Sequence, residues 1–165
     1  MIVKSAPFAA LATTVFSTLY SQSLSKSVEA WDETAIDITH SRFPFSGYRL
    51  EENDAESIRA TASIAVYDAI HAVLGEGVSI FYQTFSPART PVGAEAAAAQ
   101  AAHDVLASHF TDPVNRAELK LRLTRHLATL PDGYEKTEGL TTGAASAAAA
   151  ITFSRLHELE GQQAA

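Results

Sequence analysis

DAESIRATASIAVYDAIHAVL, running from Asp54 to Leu74, reads as one helix buried around most of its circumference. Ile58, Ala62, Ala65, Ala69 and Ala72 recur at spacings of three and four, which puts them on one continuous stripe. Ile64, Val66, Ile70 and Val73 widen that stripe until little polar surface remains. Asp54 stands where an N-cap belongs, Glu56 suits the positive end of the helix dipole, and Gly75 occupies the C′ position. About twenty residues make about 30 Å of helix, the diameter of a small domain. This Ala-rich segment is therefore expected at the centre of a helical bundle. Asp68 interrupts it, beside Tyr67. An ionised carboxylate among Ile, Val and Ala is costly unless it is paired and hydrogen-bonded. Asp68 is accordingly expected to act as a structural tether, holding an arginine, a tyrosine hydroxyl or backbone N–H groups of a neighbouring segment.

Working outward, Ser27 to Arg42 reads as another helix, with Ser27 as its cap and Val28, Trp31, Ala35 and Ile38 inward. Trp31, the one tryptophan, is expected to anchor packing. Residues 1–26 read either as a weak signal peptide or as a first helix with Phe8, Leu11, Val15 and Leu19 on one face. The apolar run in them is too short and polar to span a membrane. Phe43 to Asn53 is a loop. The segment from Glu76 to Gly93 is irregular, and its aromatics, from Phe81 to Phe85, are expected to lie over the bundle.

Ala94 to Phe110 is helical by propensity alone. Asp112-Pro113 opens a further helix to Leu130, and Asp132 is the expected cap of a last one reaching Leu159. Gly139 and Gly143, four apart and followed by Ala147 and Ile151, form a ridge that lets two helices touch backbone to backbone. The expectation is all-α: a single bundle of five or six helices over residues 27–160, with 161–165 as a tail.

A formal net charge of −7 argues against a general binder of nucleic acid or anionic membranes, which needs clustered cations. Arg116, Lys120, Arg122 and Arg125 share one expected helix, but Glu118 and Asp112 dilute them into a solvated face. The chain has no cysteine, which removes disulfides, thiolate metal sites and a cysteine nucleophile, and leaves cytoplasmic and exported locations both open. A dimetal site in a bundle wants carboxylate-x-x-His on two helices. Asp68 and His71 supply one such pair, no second copy exists, and adjacent His103 and Asp104 diverge by about 100°. No metal ligands are assigned. The sequence carries no G-x-S-x-G elbow, P-loop or G-x-G-x-x-G.

Four segments in order resemble a known family: SVEAWDETAID (27–37), RATASIAVYDAIHAV (59–73), AEAAAAQAAHDVLASHF (94–110) and PDGYEKTEGLTTGAASAAAAITFSR (131–155). Together they resemble the N-terminal half of bacterial vanadium-dependent haloperoxidases, relatives of the PAP2-type acid phosphatases. The most specific part is Tyr67-Asp68-Ala69 followed by the Ala-rich helix ending His103-Asp104-Val105-Leu106. The chain departs from many relatives at Ser63, where they carry His, and at His71, where Asn is common.

The resemblance implies an all-helical protein that holds vanadate or phosphate in an anion pocket. That pocket is built from a Lys, an Arg-Pro, a Pro-Ser-Gly-His and a Ser-Arg-x-x-x-His, all in the C-terminal half. Pro44-Phe45-Ser46-Gly47-Tyr48 and Ser154-Arg155-Leu156-His157 are near-misses with the wrong spacing, and no Arg-Pro dipeptide occurs. The expectation is a helical scaffold with no catalytic or cofactor-binding residue of its own, inactive without a complementary half that brings the vanadate site. Its expected partners are that half, or a second copy docked through the Gly139/Gly143 ridge. The alternatives are a stand-alone helical interaction protein and a small metal-binding bundle.

Overall fold

The computed structural model describes residues 8–47, 50–75, 79–81, 86 and 89–163, with side-chain surroundings described between 22 and 157. Five helices, α1 (Phe8–Thr39), α2 (Glu52–Leu74), α3 (Pro91–His109), α4 (Pro113–Ala128) and α5 (Tyr134–Gln163), make an all-α bundle with no strand among the described residues.

Local chemistry accounts for most of the boundaries. Thr90 caps α3 by accepting from the Gly93 N–H, and Pro91 fills the first helical position, where a missing N–H does no harm. Asp112 and Pro113 open α4 the same way, with Asp112 accepting from Asn115 N–H at 2.9 Å. Gly75 ends α2 in the left-handed region (φ 71°), its N–H returning to the His71 carbonyl. The start of α2 is not where the acids suggest. Glu51 is the cap residue and makes no side-chain cap bond, and Asp54 sits inside the first turn.

Two further caps differ from expectation. Ser27 does not begin a helix: α1 runs unbroken through it, and its hydroxyl lies 3.1 Å from the Ser23 carbonyl one turn back. With no proline or glycine between Phe8 and Thr39, nothing stops the helix there. Residues 1–7 of the expected leader or first helix lie outside the described residues. Asp132 does not cap α5 either. Gly133 supplies the first accepting carbonyl, to Thr137 N–H, while Asp132 binds Lys136 Nζ at 2.8 Å. The same ammonium donates to the Leu127 carbonyl at 2.7 Å, so Lys136 closes the C-terminal end of α4 from the first turn of α5.

The expected central helix is buried on the stripe read from the sequence: Ile58, Ala62, Ala65, Ala69 and Ala72 all lie inside. The element that touches each of the other four helices, however, is α3. It is buried almost all round, with Ala94, Ala96, Ala97, Ala99 and Ala101 fully covered. Its alanines keep the helix thin, so four neighbours reach it at once.

The closest of those neighbours is α5. A Cβ on Gly139 would run into the carbonyl of Gly93, and one on Gly143 into the carbonyl of Ala97. The ridge is thus used inside the chain, backbone against backbone. A second copy docked through Gly139 and Gly143, as the sequence suggested, has no access to it. Gly139→Ala should destabilise the fold by about 1–3 kcal/mol through overpacking, outweighing the gain of about 1 kcal/mol in helix propensity. Urea denaturation of the two proteins measures the difference, and an unchanged or raised midpoint would contradict the close contact.

Candidate functional site

Asp68 is fully buried, 1% exposed, and both its oxygens accept backbone N–H groups: Oδ1 from Ile80 and Oδ2 from Phe81, each at 2.6 Å. Of the three tethers its position allowed, the structure uses backbone amides. Two charge-assisted bonds of this length compensate a carboxylate taken out of water. They fix residues 80–81 over the end of α2, and Ser86 N–H binds the Ala72 carbonyl nearby. Phe81 then stacks on Phe153 of α5 at 4.1 Å, as expected of an aromatic laid over the bundle. Tyr82 to Phe85 lie outside the described residues.

A second tether escapes the sequence reading. Asn115, 2% exposed, pairs its side-chain amide with both backbone groups of Ser46, accepting at 2.9 Å and donating at 2.7 Å. Beside it Arg122 reaches inward from α4. Its guanidinium donates to Thr34 Oγ1 and Glu118 Oε1, lies 3.7 Å from Asp37, and covers the Phe45 ring at 4.8 Å. Arg122 is therefore a strut between α1, α4 and the 43–47 loop, not a member of the solvated face formed by Arg116, Lys120 and Arg125. The signal for it was local: Glu118 precedes it by four residues, a helix ion-pair spacing.

A groove of about 380 Å³ lies between α1 and α2. Trp31 and Ala35 form its α1 wall, Ala62 and Val66 its α2 wall, and Ala102 of α3 its floor. Tyr67, 42% exposed, lines it with its ring tilted against His71, centroids 4.0 Å apart. The groove continues between the same helices toward Ile36, His40, Glu52 and Glu56. As the lining residues ascend along α1 they descend along α2, so the helices run antiparallel on either side.

Of the singled-out residues, Trp31 and Tyr67 meet at this groove. Asp68 faces the other way, into the 80–81 segment, and Gly139 and Gly143 lie at the α3–α5 contact. The groove's cation, Arg59, is held by Glu52 at 2.9 Å, with His40 Nε2 3.8 Å from the same carboxylate. Ser63, on the groove wall, donates its hydroxyl back to the Arg59 carbonyl.

Elsewhere, His103 Nδ1 and Asp104 Oδ1 do meet at 2.8 Å although they are neighbours, because χ rotations bridge the divergence of their Cβ vectors. Gln100 also donates to Asp104. No group of three or more His, Asp or Glu is placed to hold a metal ion among the described residues. His126 sits against Trp31, ring centroids 6.4 Å apart, with Nε2 buried and unpartnered. Burial lowers its pKa from 6.5, partly offset by the negative charge of Glu95. The chain matches no protein-family model, no curated protein and no solved structure.

Two outcomes follow from these environments. Asp68→Ala leaves the Ile80 and Phe81 amides without their acceptor, at a cost of about 1–3 kcal/mol, and should speed hydrogen exchange at those amides more than in α3. The depressed pKa of His126 means the unfolded chain binds its proton more readily than the folded one. Its contribution is thus complete above pH 6.5 and falls away as the pH drops below that value. In His126→Gln the fall in thermal midpoint between pH 7.5 and 5.5 should be smaller than in the unaltered protein; an equal fall would exclude His126 as its source.

Proposed function

We propose that this chain is a helical scaffold domain of the kind found in the N-terminal half of vanadium-dependent haloperoxidases and PAP2-type phosphatases. On this reading it shapes and supports an oxyanion site whose cations and histidines come from a complementary half. The carrying observation is an uncovered apolar face on α5. Phe153 and Leu156 are 49% and 56% exposed, and Phe81, Phe153 and His157 stack in a row across that surface. Large apolar side chains gathered on one face favour a covering partner, since solvent exposure of such a patch is unfavourable. The buried polar groups support the same reading: Asp68, Asn115 and Arg122 each bind neighbouring segments of the bundle.

The purified chain, given vanadate, hydrogen peroxide and bromide, should oxidise no bromide above the protein-free background. Adding a separately produced C-terminal half that carries Pro-Ser-Gly-His and Ser-Arg-x-x-x-His should restore turnover. Robust turnover by the chain alone overturns the proposal. Failure of the two halves to associate favours the stand-alone interaction protein instead.

A further inference from the structure

We propose that the α1–α2 groove is the seat of a cationic amphipathic helix of about three turns. Its dimensions suit a rod. The apolar part beginning at Val28 and the polar part ending at His40 share Asp32, Arg59 and Ser63, so they are one continuous trough. From Val28 to His40 the trough follows α1 for about 18 Å at about 1.5 Å per residue, the length of about three helical turns. A helix laid there would fill the gap between two antiparallel helices, with its apolar side chains against Trp31, Ala35 and Val66. Anchors at i, i+3/i+4 and i+7 are the pattern by which helices enter such grooves.

Charge fixes the sign of the occupant. Glu29, Asp32, Glu52 and Glu56 line or rim the trough, against one arginine. Arg59 is already held by Glu52. Glu29 accepts a hydroxyl from Ser25, and among the described residues no cation pairs with Glu29, Asp32 or Glu56. Lysines or arginines flanking the apolar stripe of an incoming helix would meet these carboxylates at the rim, where such charges chiefly set orientation and partner choice. Among the described residues, α4 of a second copy offers a surface of this kind. On α4, which carries Arg116, Lys120 and Arg125, Val114 and Leu121 are exposed. Docking it into the groove of another copy would be a heterologous contact, building a ring or an open polymer. A second copy also carries the same net charge of −7, so the occupant assigned here is a cationic helix of a different protein chain.

This deepens the scaffold reading by naming what covers one face. Peptide binding is scored without any enzyme assay, so either can fail while the other stands. The probe is a synthetic helical peptide of about 15–18 residues, long enough to be partly helical alone, with a leucine stripe flanked by lysines and a nitroxide label. Titrated into the full chain, it should bind saturably by anisotropy and quench the fluorescence of Trp31, the only tryptophan, which lies in the groove wall. The double variant Glu29→Lys, Asp32→Lys should weaken this binding by about tenfold or more. A twin peptide with glutamate in place of lysine should bind that variant better than the unaltered chain. Both positions are exposed, and should the double variant unfold, Asp32→Asn should still weaken the lysine peptide by about threefold.

The proposal is overturned by equal binding of the two peptides, by equal binding of a scrambled peptide of the same composition, or by no Trp31 quenching. It is also overturned if the chain alone sediments as concentration-dependent polymers that Asp32→Lys dissolves, which would assign the groove to α4 of a second copy.

Discussion

Backbone contact between α3 and α5 governs the architecture. At Gly139 and Gly143 nothing larger than a hydrogen fits between α5 and the carbonyls of Gly93 and Ala97. This proximity gains dispersion contacts along two whole helices, but it also dictates sequence on both sides. Residues of α3 facing any neighbour must be small for the helices to close up, and its interior is accordingly almost all alanine. A helix so thin cannot fill space by itself, so larger side chains must come from its neighbours. They do: Ile58 and Val73 from α2, Ile38 and Trp31 from α1, and Leu119 and Leu123 from α4 enter the core.

The groove follows from the same constraint. Because α2 and α5 both close tightly onto α3, α2 lies within their layer. On the other side α1 carries Trp31, whose ring is buried beside His126 of α4. α1 meets α2 only sparingly, and the trough floored by Ala102 lies between them.

Much of this was legible in the residues. The stripe in α2, the Asp112-Pro113 start, the Gly75 stop and the tight glycine ridge depend on spacing and local chemistry, and spacing is what a sequence displays. Asp68 was legible as a tether because burial of a carboxylate demands a partner, though which partner depended on chain far from it. Ser27 was misread for the same local reason that made Asp112 right. Both are good capping residues, but only Asp112 is followed by a proline that ends competition from a preceding helix. The hub role of α3 stayed hidden because alanine signals helix propensity without direction: a stripe that is small on every side has no face to point inward. Arg122 and Asn115 were obscured by distance, since their partners Thr34 and Ser46 lie 88 and 69 residues away.

The distribution of polar groups bears on what kind of protein this is. Asp68 and Asn115 each join a helix to another segment with two hydrogen bonds, and Arg122 joins α4 to α1 with one to Thr34 and an ion pair to Asp37. Such buried networks make position specific, because a shifted register would leave several charged or amide groups unpaired at once. They lie where helices meet the 43–47 and 80–81 segments and where α1 meets α4, and not in the groove. These three groups hold segments of the bundle in register, while the groove between α1 and α2 and the ring row on α5 are largely apolar with charge at the margin. Joints of this kind, with apolar faces left open beside them, fit the scaffold role proposed above.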